Sequence, residues 1–175
     1  EDAITMAMTP EFGENLTIVG QLVHNPQINE SLKKNGVSLV NNIDAIDQIK
    51  TKKVMITAHG AAQKTKDKLE GAGFTVYDAS CPLVMRVHKT IQSMVTKGYF
   101  PVVIGQQDHV EVKGIVGDLK DYLVISGEND IEKIEKVKKR KLGIVSQTTL
   151  QVEKVEHLVR KIRSRAYVDE VYFVN

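Results

Sequence analysis

The sequence has a single cysteine in 175 residues, so no internal disulfide framework can hold it together, and a reducing compartment suits it. It also lacks any apolar run of membrane-spanning length, and no signal-peptide pattern opens it. Aromatic residues make up 5% of the chain, and its 24 Lys and Arg, against 22 Asp and Glu, form no basic stripe interleaved with aromatics. Nucleic-acid binding is therefore without support. The densest basic run, residues 136–141, reads as a solvated helix end and turn. Close metal-ligand pairs of the CxxC or HxxxH type are missing, so local spacing gives no zinc signature. There is no GxGxxG and no GxxxxGK followed by Ser or Thr, which removes the dinucleotide fingerprint and the Walker loop.

What the chain does have is 42% hydrophobic content arranged in a regular alternation of short apolar runs and amphipathic stretches. Residues 16–23 read as a buried strand that stops at His24. A short helix over 28–35 follows, closed by Gly36 in the C′ role. Residues 37–40 form a strand, 43–49 a brief helix or turn, and 54–58 a strand that stops at His59. A charged helix over 61–72 leads to a fourth strand, 74–79, which stops at Cys81. The rhythm then repeats: helix 83–96, strand 101–104 ending in Gly105-Gln106-Gln107-Asp108-His109, helix 111–119, strand 122–125, helix 130–137, strand 142–145 ending at Ser146-Gln147-Thr148, helix 152–165 and strand 171–174. Alternation of this kind predicts an α/β protein of two small domains, 1–81 and 82–175, each a mostly parallel sheet flanked by helices. The halves share the rhythm but show no repeat in their residues.

In parallel sheets, ligands bind outside the carboxyl ends of the strands. His24, His59, Cys81, His109 and Thr148 each end a strand here, whereas His88 and His157 fall inside helices and read as structural. Pro82 favours the first position of a helix, which puts Cys81 at or beside the N-cap. Unpaired amides and the helix dipole favour an anion there, and the thiolate is the form that binds metal or attacks. The other reading of a lone cysteine is a small buried hydrophobe. The three strand-end histidines suit a phosphate or diphosphate. Glu111, two residues after His109, is placed to supply or take a proton at the same rim, although in isolation it reads as an exposed helix-start carboxylate. A thiol enzyme pairing Cys81 with a histidine is a further reading, and no histidine spacing argues for it.

Five stretches in order, VHNPQI at 23–28, TAHGAAQ at 57–63, DASCPLVMRVHK at 78–89, IGQQDHVEVKG at 104–114 and SQTTL at 146–150, closely resemble the 4-hydroxy-3-methylbut-2-enyl diphosphate reductases. The resemblance implies a fold of three α/β domains around a 4Fe-4S cluster held by three cysteines. It implies reductive dehydroxylation of 4-hydroxy-3-methylbut-2-enyl diphosphate to isopentenyl and dimethylallyl diphosphate, with ferredoxin or flavodoxin as electron donor and a cytoplasmic or plastid setting. Position by position, Cys81 matches the middle cluster cysteine. His24, His59 and His109 match the histidines that line the diphosphate pocket. Glu111 matches the proton-delivering acid, and Thr148 the threonine that helps position the substrate hydroxyl and its proton path.

The sequence also departs from the family pattern. Val110 stands where the family usually has proline, and Gln106 replaces a common histidine. On this resemblance the first cluster cysteine would lie just before Glu1 and the third just after Asn175, and the third domain is absent. The sequence is thus expected to be a two-domain piece carrying one cluster ligand of three, working as the reductase with its flanks restored. The alternative is a catalytically silent fragment that binds a diphosphate or a partner.

Overall fold

Strands buried on both faces must be apolar at nearly every position, and the short runs of this chain supply that. The computed structural model describes residues 3–9, 12, 15–20, 26–42 and 45–174, and the chain divides into two units, Glu1–Cys81 and Pro82–Asn175. The first unit carries strands β1 (Leu16–Val19), β2 (Ser38–Val40), β3 (Lys53–Ile56) and β4 (Thr75–Asp78), with helices α1 (Ala3–Ala7), α2 (Pro26–Lys34) and α3 (Gln63–Gly71) and a 3-10 turn at Ile46–Gln48. All pairings are parallel and the strand order is β2-β1-β3-β4. Alternate side chains go to opposite faces. Leu16, Ile18 and Met55 meet Leu32 of α2 and Ala7 of α1, while Val19, Val54 and Ile56 meet Leu69 of α3.

The second unit repeats the plan. It runs α4 (Pro82–Thr96), β5 (Phe100–Ile104), α5 (Val110–Val116), β6 (Leu123–Ile125), a 3-10 turn (Glu128–Asp130), α6 (Glu132–Val137), β7 (Lys141–Ser146), α7 (Val152–Arg163) and β8 (Glu170–Val174). Its sheet is again all parallel, in the order β6-β5-β7-β8. Val102, Ile104 and Ile144 pack on α7 through Val155, Leu158 and Ile162. On the other face Val103 and Val145 pack on Ile91 and Met94 of α4 and Val112 and Ile115 of α5. The two-layered wrapping of both sheets is the α/β architecture expected from the sequence. No helix among the described residues is long and apolar enough to cross a membrane.

Local chemistry fixes the element ends. Gly36 (φ 80) closes α2 as expected: its N–H donates to Lys33 O at 3.1 Å and the N–H of Val37 to Leu32 O at 3.0 Å, the paired bonds of a Schellman motif. Boundaries differ by a few residues from the sequence reading. β1 is seen to Val19, and residues 21–25, including the expected strand end at His24, lie outside the described residues. One expectation needs correction, because a residue repeat does exist. The N–H of Gly20, just past β1, donates to Val40 O at 2.9 Å, and that of Gly105, just past β5, to Ile125 O at 3.0 Å. With the strands so matched, Gly20-Gln21-Leu22-Val23-His24 and Gly105-Gln106-Gln107-Asp108-His109 share the pattern Gly-Gln-x-x-His. Three fixed positions in five are too few to stand out until topology pairs them.

β4 ends in a polar clasp. Asp78 Oδ1 accepts from the Ser80 N–H at 3.0 Å and from the Ser80 hydroxyl, while Oδ2 pairs with Lys66 of α3. Burial works against the charged form of Asp78. The hydrogen bonds from Lys66 and Ser80, with the lysine charge, outweigh it and hold the carboxyl below its ordinary range. A carboxyl more acidic in the folded than in the unfolded chain adds stability above the unfolded pKa of about 3.9, and that stability is lost as pH falls through the folded value. Asp78→Asn keeps an acceptor for Ser80 but not the ion pair, so it is expected to cost about 0.5–1 kcal/mol at pH 7. The gap from wild type should close below about pH 3.5, where the wild-type carboxyl also begins to protonate. Urea denaturation midpoints at pH 7 and pH 3 check this; a gap that is constant across the range would remove the linkage.

Candidate functional site

In the second unit the strand order reverses direction between β5 and β7, the switch point at which α/β sheets open a crevice beyond their carboxyl ends. β5 runs out into Gly105 and the turn 106–109, and the His109 N–H closes that turn on Gln106 O at 3.0 Å. A Cβ on Gly105 would stand 2.6 Å from Val112 Cγ2 and 3.1 Å from Gln147 Cβ. Only glycine lets α5 and the turn after β7 come this near. His109 caps α5 from an extended backbone (φ −67, ψ 137), its Nδ1 accepting from the Glu111 N–H at 3.2 Å. With Nδ1 accepting, Nε2 is the donor nitrogen of the neutral ring.

Glu111, in the first turn of α5, is 1% exposed. Its Oε1 accepts from the Thr148 N–H at 2.7 Å and its Oε2 from the Thr148 hydroxyl at 3.1 Å. Thr148, beyond the end of β7, is itself exposed. The isolated reading of Glu111 as an exposed helix-start carboxylate is therefore wrong. A buried carboxyl ordinarily costs free energy unless its oxygens are paired, and here both are paired by one exposed residue. Such a pair can pass a proton between a sequestered acid and a ligand at the rim.

Gln147 was not singled out among the sequence candidates. It is 4% exposed, its Oε1 accepts from the Gln106 N–H at 3.1 Å, and its Nε2 donates to Thr149 Oγ1 at 2.8 Å. The only sequence signal for it is position, a polar residue just past the apolar stretch 142–145.

In the first unit, β3 and β4 bring two further candidates side by side. The Ala79 N–H donates to Ile56 O and the Cys81 N–H to Ala58 O, both at 3.0 Å, so the pairing of β4 with β3 continues past the strands. Cys81 is thereby held against the residue that precedes His59. His59 sits half-buried in the turn 57–60, closed by the Gly60 N–H on Thr57 O at 3.0 Å. Cys81 is a free, half-exposed thiol directly before Pro82, the first residue of α4. The buried-hydrophobe reading of this cysteine does not hold. His24 lies outside the described residues. His88 is half-buried within α4, and His157 is exposed on α7, where its Nε2 meets Glu128 Oε1 at 2.7 Å.

An iron–sulfur cluster of the kind the resemblance implies needs three thiolates. This chain has one cysteine, and among the described residues no three His, Cys, Asp or Glu side chains converge to hold a metal ion. The donor set present does not by itself fit the cluster.

Comparison with known proteins follows the same lines. The 4-hydroxy-3-methylbut-2-enyl diphosphate reductase of Ehrlichia ruminantium is 36% identical over 154 residues, covering 87% of this chain and 46% of the relative. The enzyme of the same name from Kosmotoga olearia is 34% identical over 152 residues, covering 83% of this chain and 51% of the relative. This chain thus spans about half the length of the curated relatives it matches. A solved (E)-4-hydroxy-3-methyl-but-2-enyl diphosphate reductase, described as the terminal enzyme of the non-mevalonate pathway, overlays with a TM-score of 0.81 at 30% identity, over 98% of this chain and 60% of that one. The Plasmodium falciparum E-1-hydroxy-2-methyl-but-2-enyl-4-diphosphate reductase gives a TM-score of 0.78 at 25% identity, over 89% of this chain and 49% of that one. The profile of the LytB protein family matches residues 1–173, and the chain belongs to that family.

Proposed function

We propose that this chain forms the substrate-holding and proton-delivering part of a 4-hydroxy-3-methylbut-2-enyl diphosphate reductase. The reaction breaks the allylic C–O bond, takes up two electrons and two protons, and releases water with isopentenyl or dimethylallyl diphosphate. The observation that carries the reading is the buried Glu111 carboxyl joined through both oxygens to the exposed Thr148. Hydroxide is a poor leaving group and water a good one, so the step needs an acid at the departing oxygen. Glu111 supplies that proton, with the Thr148 hydroxyl as its path to the rim. Burial keeps the acid from exchanging freely with bulk water, and the Thr148 N–H steadies the carboxylate left behind.

In the second unit, substrate contacts fall to His109 and Thr148; in the first, His24 and His59 are the histidines that the family resemblance assigns to the diphosphate. The Nε2 donor of His109 follows from the capping bond at Nδ1. Cys81 would be one thiolate ligand of a 4Fe-4S cluster, the only cysteine ligand this chain can offer. A bound cluster would supply the electrons of the reaction, with ferredoxin or flavodoxin as the donor that the resemblance implies. A reducing aqueous compartment, the cytoplasm or a plastid stroma, suits the free thiol.

Three outcomes test this reading. In the cluster-bearing holoenzyme, Glu111→Gln preserves shape and loses the acid, so turnover is expected to fall about a hundredfold or more with substrate affinity nearly intact. Steady-state kinetics beside calorimetric binding separate the two, and unchanged turnover would return Glu111 to a structural role. His59→Asn and His109→Asn each remove a donor to a highly charged ligand and should weaken binding about tenfold to a hundredfold. His88→Asn and His157→Asn serve as controls, and an equal loss in either would show that the histidine roles are misassigned. Reconstituted with iron and sulfide, the 175-residue chain by itself should retain less than one cluster per chain, because one thiolate does not replace three. Iron and sulfide assays after gel filtration read this directly, and a stoichiometric brown product would overturn it.

A further inference from the structure

The pair Glu111 and Thr148 is assembled from two separate loops, and a single buried side chain joins those loops. Past Ile104 and Ser146 the parallel ladder of β5 and β7 has one more bond, from the Gln147 N–H to Ile104 O at 2.8 Å. The Gln147 side chain then turns back across the gap. Its Oε1 takes the Gln106 N–H at 3.1 Å and its Nε2 gives a hydrogen bond to Thr149 Oγ1 at 2.8 Å. One loop leads through Gln106 to His109 and Glu111, and the other carries Thr148 between the two ends of this clasp. An amide carries its acceptor and its donors on separate atoms and so serves both partners at once; a carboxylate lacks the donor, and a thioether has no donor and only a weak acceptor. Gly105 closes the clasp from below, since a Cβ there would stand 3.2 Å from Gln147 Oε1 and 2.6 Å from Val112 Cγ2 of α5.

We propose that Gln147 is the positioning residue of this site, fixing the spacing of the β5 and β7 loops so that both Glu111 oxygens meet Thr148. The proposal rests on the reading of Glu111 as the acid, and it adds that the acid is aimed by a residue acting through Gln106 and Thr149. A displacement of about 1 Å at a reacting group costs on the order of a hundredfold in rate, which sets the scale of what the clasp protects. Because the clasp acts on geometry and not on binding charge, its loss should fall on kcat and leave KM nearly alone.

The test uses Gln147→Met, which fills a similar volume without hydrogen bonds, and Thr149→Val, which removes one of the two side-chain bonds. In the 175-residue chain, amide hydrogen exchange at Thr148 and Gln106 should quicken by about tenfold or more in Gln147→Met, with Val103 and Val145 in the strands unchanged. In the holoenzyme, kcat should fall about tenfold to a hundredfold with KM within about twofold, and Thr149→Val should show a smaller fall of the same kind. Unchanged exchange at Thr148 in Gln147→Met overturns the proposal whatever the activity does. So does exchange that quickens equally at Val103 and Val145, which would make Gln147 a stability residue only. If exchange responds as expected while Glu111→Gln retains full turnover, the positioning role stands and the assignment of the acid fails. Gln147→Asn keeps the amide one methylene short of Gln106; it should show the same direction at smaller size, and it decides the matter should the methionine variant not fold.

Discussion

The candidate site depends on β5 and β7 being neighbours in the sheet although α5, β6 and α6 separate them in the chain. Parallel pairing sends both strands out at the same edge, so the residues that follow each are delivered to one place. Glu111 and Thr148, 37 residues apart, meet there for that reason alone. The chain leaves β5 for β6 on one side and comes back to β7 on the other, which opens a gap between the two exits instead of filling it with a connection. The fold supplies the place, and the loops supply the chemistry.

The first unit shows how little the fold dictates about that chemistry. Its sheet has the same order and the same parallel pairing, and its β1 also ends in a glycine that donates to the neighbouring strand. Yet at the exit of β3, where the second unit has Gln147 and Thr148, it has Thr57, Ala58 and His59. β4 adds a half-exposed cysteine held to Ala58, and the Asp78–Ser80–Lys66 clasp fixes the three residues before it. One scaffold thus holds a cysteine's backbone to the residue before a histidine, and the other sets a buried acid beside a hydroxyl. Fold-level likeness alone would have assigned the two units the same role.

The sequence disclosed most where the physics is local. Continuous apolar runs such as 102–104 and 142–145 can only be strands covered on both faces, and Gly36 marks a helix end because a positive φ is needed at that point. Pro82 marked the start of α4 for the same kind of reason. Burial of Glu111 could not be read, because it depends on Thr148, a partner distant in the chain whose approach is set by strand order. A glutamate in the first turn of a helix satisfies the dipole in solvent just as well, so nothing local distinguishes the two cases. Gln147 was hidden similarly: its partners, Gln106 and Thr149, are ordinary polar loop residues until the sheet brings one of them across. The Gly-Gln-x-x-His repeat was overlooked because its meaning is topological, a matter of which strand each copy ends.

Burying Glu111 has a cost that the surrounding structure has to offset. Placing a carboxyl in the interior is unfavourable by several kcal/mol in its charged form unless donors replace the lost water, and two hydrogen bonds of roughly 1.5–3 kcal/mol each go a long way toward that. Both donors belong to Thr148, so a small displacement of that one loop removes them together. This makes the arrangement fragile unless something else fixes the loop. The ladder bond from the Gln147 N–H and the amide clasp to Gln106 and Thr149 do so, through a Gln147 side chain that is itself buried. A site built this way holds the exposed Thr148 through bonds to the buried Glu111 and through the clasp of its buried neighbour Gln147, so the loop does not depend on the acid alone for its place.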